Sequence, residues 1–255
     1  MKTILLPVQL CEQVLKRKIV RPFQLYLLLK SLCSGKMRIH KSEYPALAEI
    51  LGRKSGRTIS NNLKTLIQMN FIGNNPKSGY YFIRGISYLS EAFKIESTTA
   101  TEFDYAHIRD LQAFCLASVV SYIIRRQKIK GWGPGRKEWR PKQSSCPTSS
   151  SNKYMVSNTL IAQKLKISLH SAYTWKKKAH DLGFIEVTSN LIPLKVHLKH
   201  KKALLKGQPE LRGRLRAKNH WLYIQGSDFV AQKSIVFKRR KKIKTLSSGG
   251  KGEFL

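Results

Sequence analysis

Apolar residues recur at helical spacing in two long stretches of the chain. From Phe23 to Cys33 they are dense enough for a buried helix, and Gly35 follows where such a helix would end. A second dense stretch runs from Ile108 to Ile124. Each half of the chain is therefore predicted to open with a hydrophobic helix.

The apolar spacing changes twice between Ser42 and Arg84. A short amphipathic helix is indicated first, with Ser42 as its candidate N-cap, and Gly52–Gly56 then forms a turn. A second helix follows, and two β-like runs are joined by a turn-rich Asn74–Gly79 segment. The apolar positions are Leu47, Ala48, Ile50 and Leu51 in the first helix, Ile59, Leu63, Leu66 and Ile67 in the second, and Phe71–Ile72 and Tyr80–Ile83 in the strands.

Helix, tight turn, helix and hairpin in this order resemble the winged helix-turn-helix family, over about half of the first domain. The motif residues are Leu47-Ala48, Leu51-Gly52, Thr58-Ile59, Leu63, Leu66 and Phe71-Ile72. A small Ala48 suits two closely crossing helices, and Gly52 lets the backbone leave the first helix. The resemblance implies that the second helix reads duplex DNA.

The polar face of that second helix carries the first candidate site. If Ile59, Leu63 and Leu66 face the core, the opposite side presents Lys54, Arg57, Thr58, Asn61, Lys64, Thr65 and Gln68. Arg pairs with guanine, Asn and Gln pair with adenine, and Lys and Thr contact phosphates. A solvated helix face is also polar, but this one has no carboxylate. Lys77 at the hairpin tip is a candidate wing contact, although any surface turn can carry a lysine.

A second unit of the same kind is predicted from Ser157 to Val187. Its inward stripe is Ala172, Trp175, Ala179 and Leu182, and its outward face carries the candidates Tyr173, Thr174, Lys177 and Lys178, with His170 and Asp181 beside them. The pattern departs from the family at Lys176, which stands where Leu63 stands in the first unit. No compact hairpin follows Val187, so a second wing would have to be expanded.

These elements predict a mainly α protein with small β wings (α+β), in two helix-turn-helix domains of which the first is a winged helix. The predicted boundaries are a first domain at 1–90, an acidic linker at 91–106, a second domain at 107–237 with a basic loop insertion at 128–153 and an expanded β region, and a basic tail at 238–255. The linker is inferred because residues 91–110 hold 5 acidic and 2 basic side chains, against 3 and 15 in residues 1–90.

The net charge of +34 makes a polyanion the expected partner. Double-stranded DNA is favoured over a membrane because the apolar positions follow globular periodicities and form no long apolar run. The tail adds candidates for phosphate contact in Lys238, Arg239 and Arg240.

The motifs that would indicate an enzyme or a metal site are incomplete in this sequence. Gly249-Gly250-Lys251-Gly252 lacks the first glycine and the hydroxyl residue of a phosphate-binding loop. His197 and His200 lie close together without a Cys or carboxylate to complete a zinc site, and the 14 acidic residues are too dispersed for a two-metal nuclease. We therefore expect no enzyme activity, no cofactor and no metal.

The four scattered cysteines, without a Cys-x-x-Cys pair, are typical of reduced thiols in a cytoplasmic protein. The expected location is the cytoplasm of a bacterial or phage-infected cell, on the nucleoid when bound. The expected role is that of a transcription regulator or of a plasmid or phage replication initiator. The alternative is a structural packaging or virion protein that neutralises phosphate, including that of RNA.

Overall fold

A computed structural model of the chain describes residues 2–33, 35–131, 154–211 and 214–239. The chain divides into two compact units. The first contains Met1–Leu111 and the described residues from Val236 on, and the second contains Gln112–Ile235. The predicted mixture of helices and small β-sheets is confirmed, and every strand pairing within these ranges is antiparallel.

Helices and strands are numbered in chain order. The helices are α1 (Val8–Lys16), α2 (Val20–Leu32), α3 (Tyr44–Ile50), α4 (Gly56–Gln68), α5 (Ile86–Ala92), α6 (Leu111–Gly131), α7 (Asn158–Leu165), α8 (Leu169–Asp181) and α9 (Lys201–Gly207). The strands are β1 (Thr3–Pro7), β2 (Lys36–Arg38), β3 (Ile72–Asn75), β4 (Tyr80–Ile83), β5 (Thr99–Asp104), β6 (Tyr154–Met155), β7 (Ile185–Thr188), β8 (Leu191–His197), β9 (Leu215–Lys218), β10 (Trp221–Gln225), β11 (Phe229–Gln232) and β12 (Phe237–Arg239).

Helix α2 forms the centre of the first unit's core. Every residue from Phe23 to Leu29 is buried, so this helix is covered on all sides as its dense apolar pattern predicted. Its aromatic rings pack with Phe71, which lies just before β3. The ring centroids of Phe23 and Tyr26 lie 5.5 Å apart, and that of Phe71 lies 6.0 and 5.7 Å from them.

The predicted linker at 91–106 is wrong. Strand β5 lies within it and is the middle strand of the sheet β1–β5–β12, with Ile4 opposite Phe103. Thr101 and Phe103 are fully buried, whereas Glu102 is partly exposed and accepts a hydrogen bond from the Thr3 hydroxyl at 3.0 Å. Acidic residues on the outer face of this strand gave the segment the composition of a linker, although its inner face belongs to the core.

The predicted tail boundary at residue 238 is also wrong. Lys238 and Arg239 belong to β12, which pairs with β5 and returns the chain to the first unit. Lys238 forms an ion pair with Glu102 at 2.7 Å. The first unit is therefore built from two separated parts of the chain, and the predicted second domain, 107–237, is too long at both ends. The rest of the tail, from Arg240, lies outside the described residues, as does the predicted loop from residue 132 to residue 153.

Helices α3 and α4 of the first unit form the predicted pair, followed by β3 and β4, and the small sheet has the order β2–β4–β3. Ser42 is not the cap of α3, because a short 3-10 helix, Lys41–Glu43, precedes that helix and Glu43 accepts from the backbone N–H of His40. Gly52 has a φ of +64°, as expected for a residue that ends α3.

The second unit repeats this order of elements. Helix α6 is followed by β6, the pair α7 and α8, and β7 and β11, in a sheet of order β6–β11–β7. Residues 189–228 are inserted between β7 and β11, and they contain β8, α9, β9 and β10. The tight hairpin of the first unit is thus replaced by a segment with a three-stranded sheet of its own, of order β8–β10–β9. Among the described residues, no helix combines the length and the apolar character that crossing a membrane requires.

Candidate nucleic-acid interface

Helix α4 presents the predicted polar face to solvent. Ser55 caps its N-terminus by accepting from the N–H of Arg57 at 3.2 Å, and the buried positions are Ile59, Asn62, Leu63 and Leu66. Lys54 lies exposed in the turn before the helix. On the helix itself Arg57, Asn61, Lys64 and Gln68 are exposed, and Thr58 and Thr65 are half-buried. Six of the seven predicted residues therefore share one face of α4, and Lys54 lies in the turn before it.

Close packing of α3 and α4 depends on a small residue at the start of α4. A Cβ atom added to Gly56 would lie 3.1 Å from Cβ of Tyr44, so a larger residue would require Tyr44 to give way by a few tenths of an ångström. Ala48 is 2% exposed, in agreement with the prediction of a close crossing there.

The wing candidate Lys77 lies exposed at the tip of the β3–β4 hairpin. The side-chain oxygen of Asn75 accepts from the backbone N–H groups of Lys77 and Ser78 at 3.1 and 3.4 Å, which shapes the turn. Gly79 closes the turn with a φ of +67°. Asn75 and Gly79 therefore shape the turn, and the side chain of Lys77 is left exposed.

A polar network joins the end of α3 to α2 through Arg109, and sequence reasoning missed it. Arg109 donates to the carbonyls of Glu49 and Ile50 at 2.8 and 2.9 Å, where α3 ends. Gln24 of α2 is 2% exposed and donates to the carbonyls of Ile108 and Arg109 at 2.9 and 3.0 Å. These partners are separated by 59 to 85 residues along the chain, so no local pattern could have revealed them.

Cations stacked on tyrosines flank the hairpin and were also missed. The Lys36 ammonium and the Arg38 guanidinium lie 3.9 and 4.4 Å from the ring centroid of Tyr80. The guanidinium of Arg84 lies 4.7 Å from the ring centroid of Tyr88. These cations add to the positive charge beside the wing.

Helix α8 presents the predicted face of the second unit. Tyr173, Thr174, Lys177 and Lys178 are all exposed, and Tyr173 retains 51% of its accessible surface. Ser168 caps the helix by accepting from the N–H of Ser171 at 3.1 Å. The predicted inward stripe is only partly correct. Ala172 and Ala179 are fully buried, but Leu182 is 37% exposed.

Lys176 takes the inward position that Leu63 has in the first unit. Its side chain is 2% exposed, and its ammonium donates to the carbonyl of Val156 at 2.9 Å and to a carboxylate oxygen of Asp228 at 2.6 Å. Burial lowers the pKa of Lys176 from its usual 10.5, and Asp228 opposes this change. The lysine is therefore a structural group and not part of the exposed face.

A groove of about 1080 Å³ runs between α8 and the inserted segment. On the helix side it is lined by His170, Tyr173 and Lys177, and on the inserted side by Arg214, Arg216 and Gln225. The exposed face of α8 is thus one wall of a basic groove, and the opposite wall comes from residues that follow α8 by more than thirty positions.

Two of the three tail candidates lie on strand β12 of the first unit. Lys238 and Arg239 are exposed on β12, with Lys238 paired to Glu102, and Arg240 lies outside the described residues. The Lys238 ammonium, through its hydrogen bond, lowers the pKa of the Glu102 carboxyl from its usual value. Within the described ranges, no three His, Cys, Asp or Glu side chains are grouped so as to hold a metal ion.

Comparison of the chain with protein-family models, with curated proteins and with solved structures found no match.

Proposed function

We propose that this protein binds double-stranded DNA through two winged helix-turn-helix units, in which α4 and α8 enter the major groove. The observation that carries the proposal is the exposed face of α4, where Arg57, Asn61 and Lys64 project from a helix that contains no Asp or Glu. A helix fits the major groove, and these side chains match guanine, adenine and phosphate respectively.

The hairpin after α4 supports the same proposal. Lys77 at its tip and the cations stacked on Tyr80 would meet the sugar-phosphate backbone beside the groove that α4 occupies. In the second unit, Arg214 and Arg216 of the inserted segment stand across the groove from α8 and would do the same.

A binding role without catalysis accounts for the charge of the chain. A net charge of +34 favours rapid association with a polyanion, and two units per chain supply two separate contacts. Transcription regulation and replication initiation on a plasmid or phage are the two roles that such a duplex-binding protein would serve. Two units on one chain resemble the arrangement of an initiator, whereas a regulator would need a dimer or an effector site, so we rank the two roles equally.

Selection of bound duplexes from a random pool tests the proposal directly. We expect a defined sequence to emerge, and we expect that duplex to compete better than random duplex or single-stranded RNA. Its affinity should fall steeply with salt, with a log-log slope of about −0.9 per phosphate contacted. Enrichment of no sequence, with equal competition by RNA, would instead indicate a packaging protein.

A further inference from the structure

The sheet inserted into the second unit has two chemically different faces. On one face Leu222 is 1% exposed and Leu215 is 8% exposed, and Ile192 lies opposite Ile224. Because successive residues of a strand alternate between faces, the neighbours of these residues point the other way. We call that other side the open face, and it contains Trp221, Tyr223 and Gln225 of β10 and Arg214, Arg216 and Lys218 along β9 and just before it.

The open face combines aromatic rings with a row of cations. In the register, Lys218 and His197 lie on either side of Trp221, and Arg216 lies opposite Tyr223. Every second residue from Arg214 to Lys218, along the edge strand β9 and just before it, is therefore cationic. These cations lie beside the rings of Trp221 and Tyr223 in the middle strand β10. Such a row repeats about every 6.8 Å along the strand.

Trp221 is held by neighbouring rings and not by burial. It is 47% exposed, and its ring centroid lies 5.8 Å from that of His197 at an interplanar angle of 72°. His197 in turn stacks on His220, with the centroids 6.1 Å apart and the planes 6° from parallel. A large aromatic surface is thus kept in place while a broad part of it stays in contact with water.

The open face continues into the groove beside α8. Arg214, Arg216 and Gln225 belong to the open face and also line the groove opposite His170 and Tyr173. Nucleic acid engaged by α8 would therefore lie next to this surface.

We propose that the open face binds an unpaired strand of nucleic acid, with bases stacked on Trp221 and Tyr223 and phosphates contacted by Arg214, Arg216 and Lys218. Aromatic side chains within a positively charged groove are the usual means of holding single strands. Base faces inside a duplex are already stacked on one another, so exposed rings gain little from intact duplex. This binding mode goes beyond the proposed duplex recognition and does not depend on it.

The test uses the full-length chain and fluorescent oligonucleotides of about 15 nucleotides, a length suited to single-strand sites. Oligo(dU), oligo(rU) and a duplex are titrated in separate arms. We expect Trp221→Ala to lower affinity for the preferred single strand by about 5- to 150-fold, while Trp221→Phe retains most of it because a ring remains. The tighter of the two single-strand arms identifies the sugar that the site prefers.

Ile192→Ala is the matched control, because Ile192 is 48% exposed on the opposite face of the same sheet. It should leave single-strand affinity unchanged, and circular dichroism should show all variants folded. Lys218→Gln should make the log-log salt slope for the single strand shallower by about 0.7. The proposal is overturned if Trp221→Ala behaves like Ile192→Ala, or if it lowers duplex affinity as much as single-strand affinity. A lack of sequence-selective duplex binding would refute the proposed function and leave this result untouched.

Discussion

In the second unit, the Lys176 ammonium lies 2.6 Å from a carboxylate oxygen of Asp228, and the lysine side chain is only 2% exposed. The pair joins α8 to the residue that immediately precedes β11, where the inserted segment ends. Lys176 also donates to Val156, which lies just after β6. One buried cation thus ties together the helix proposed to read DNA and the sheet beside it.

Asp228→Ala should strongly destabilise the second unit, by about 3 to 5 kcal/mol, because it leaves the buried Lys176 ammonium without its counterion. The double variant Lys176→Leu with Asp228→Ala should recover most of the loss, since Leu63 occupies the corresponding position in the first unit. Chemical denaturation of the four members of this mutant cycle measures the coupling. The exposed pair of Lys238 and Glu102 is the control, and breaking it should have a much smaller effect. Additive effects of Lys176→Leu and Asp228→Ala would contradict this account.

Tyr26 should make the first unit less stable at alkaline pH. Burial raises the pKa of Tyr26 above its usual 10.0, and its hydroxyl donates to the carbonyl of Arg84 at 2.8 Å. Above pH 10 the unfolded chain loses this proton while the folded chain retains it. Stability is therefore complete below pH 10 and falls as the pH rises above that value.

Tyr26→Phe should reduce stability at neutral pH by about 1 kcal/mol through the lost hydrogen bond. It should also flatten the decline above pH 10, as measured by urea unfolding across a pH series. Tyr173→Phe, at an exposed position of α8, is the control for removal of a tyrosine. An alkaline slope as steep in Tyr26→Phe as in the unmodified chain would exclude Tyr26 as its source.

Arg57→Ala and Asn61→Ala should weaken sequence preference more than overall DNA affinity. Each base contact is worth about 1 to 3 kcal/mol of discrimination, whereas phosphate contacts supply most of the non-specific binding. Titration of the selected duplex and of point-substituted duplexes gives the preference at each base pair. Arg21→Ala is the matched control, since Arg21 is an exposed arginine of α2, outside the α3–α4 pair. If Arg21→Ala changed preference as much as Arg57→Ala, α4 would not be the reading helix.

A chain ending at Ile235 should lose stability in the first unit. Without β12, strand β5 loses the pairing of Phe237 with Thr101 and becomes a sheet edge. Hydrogen exchange should accelerate at those amides of Thr99–Asp104 that face β12, such as that of Glu102, which donates to the carbonyl of Val236 at 3.1 Å.

A chain ending at Arg239 is the matched control, because it keeps β12 and removes only the residues from Arg240 on. It should exchange like the full chain but bind every DNA sequence more weakly, since it lacks four of the six basic residues between Lys238 and Lys244. Equal protection of Thr99–Asp104 in both shortened chains would show that β12 does not stabilise the sheet.

Local physical rules allowed the exposed faces of the two helix pairs to be predicted. An α-helix repeats every 3.6 residues, so the positions of Ile59, Leu63 and Leu66 were enough to place Arg57 and Asn61 on the outside. The order of helix, turn, helix and hairpin followed from the same periodicities together with Gly52. These signals involve neighbours within a few residues, and tertiary packing did not override them.

Only the tertiary structure decided the features that join distant parts of the chain. Thr99–Asp104 has the composition of a linker, and it is a central strand because β1 and β12 pair with it from opposite ends of the chain. Lys176 is inward because Asp228, 52 residues later, neutralises its charge. A buried charge or a shared strand depends on a partner that local periodicity does not specify, whereas the exposed face of a helix depends only on the spacing of its own residues.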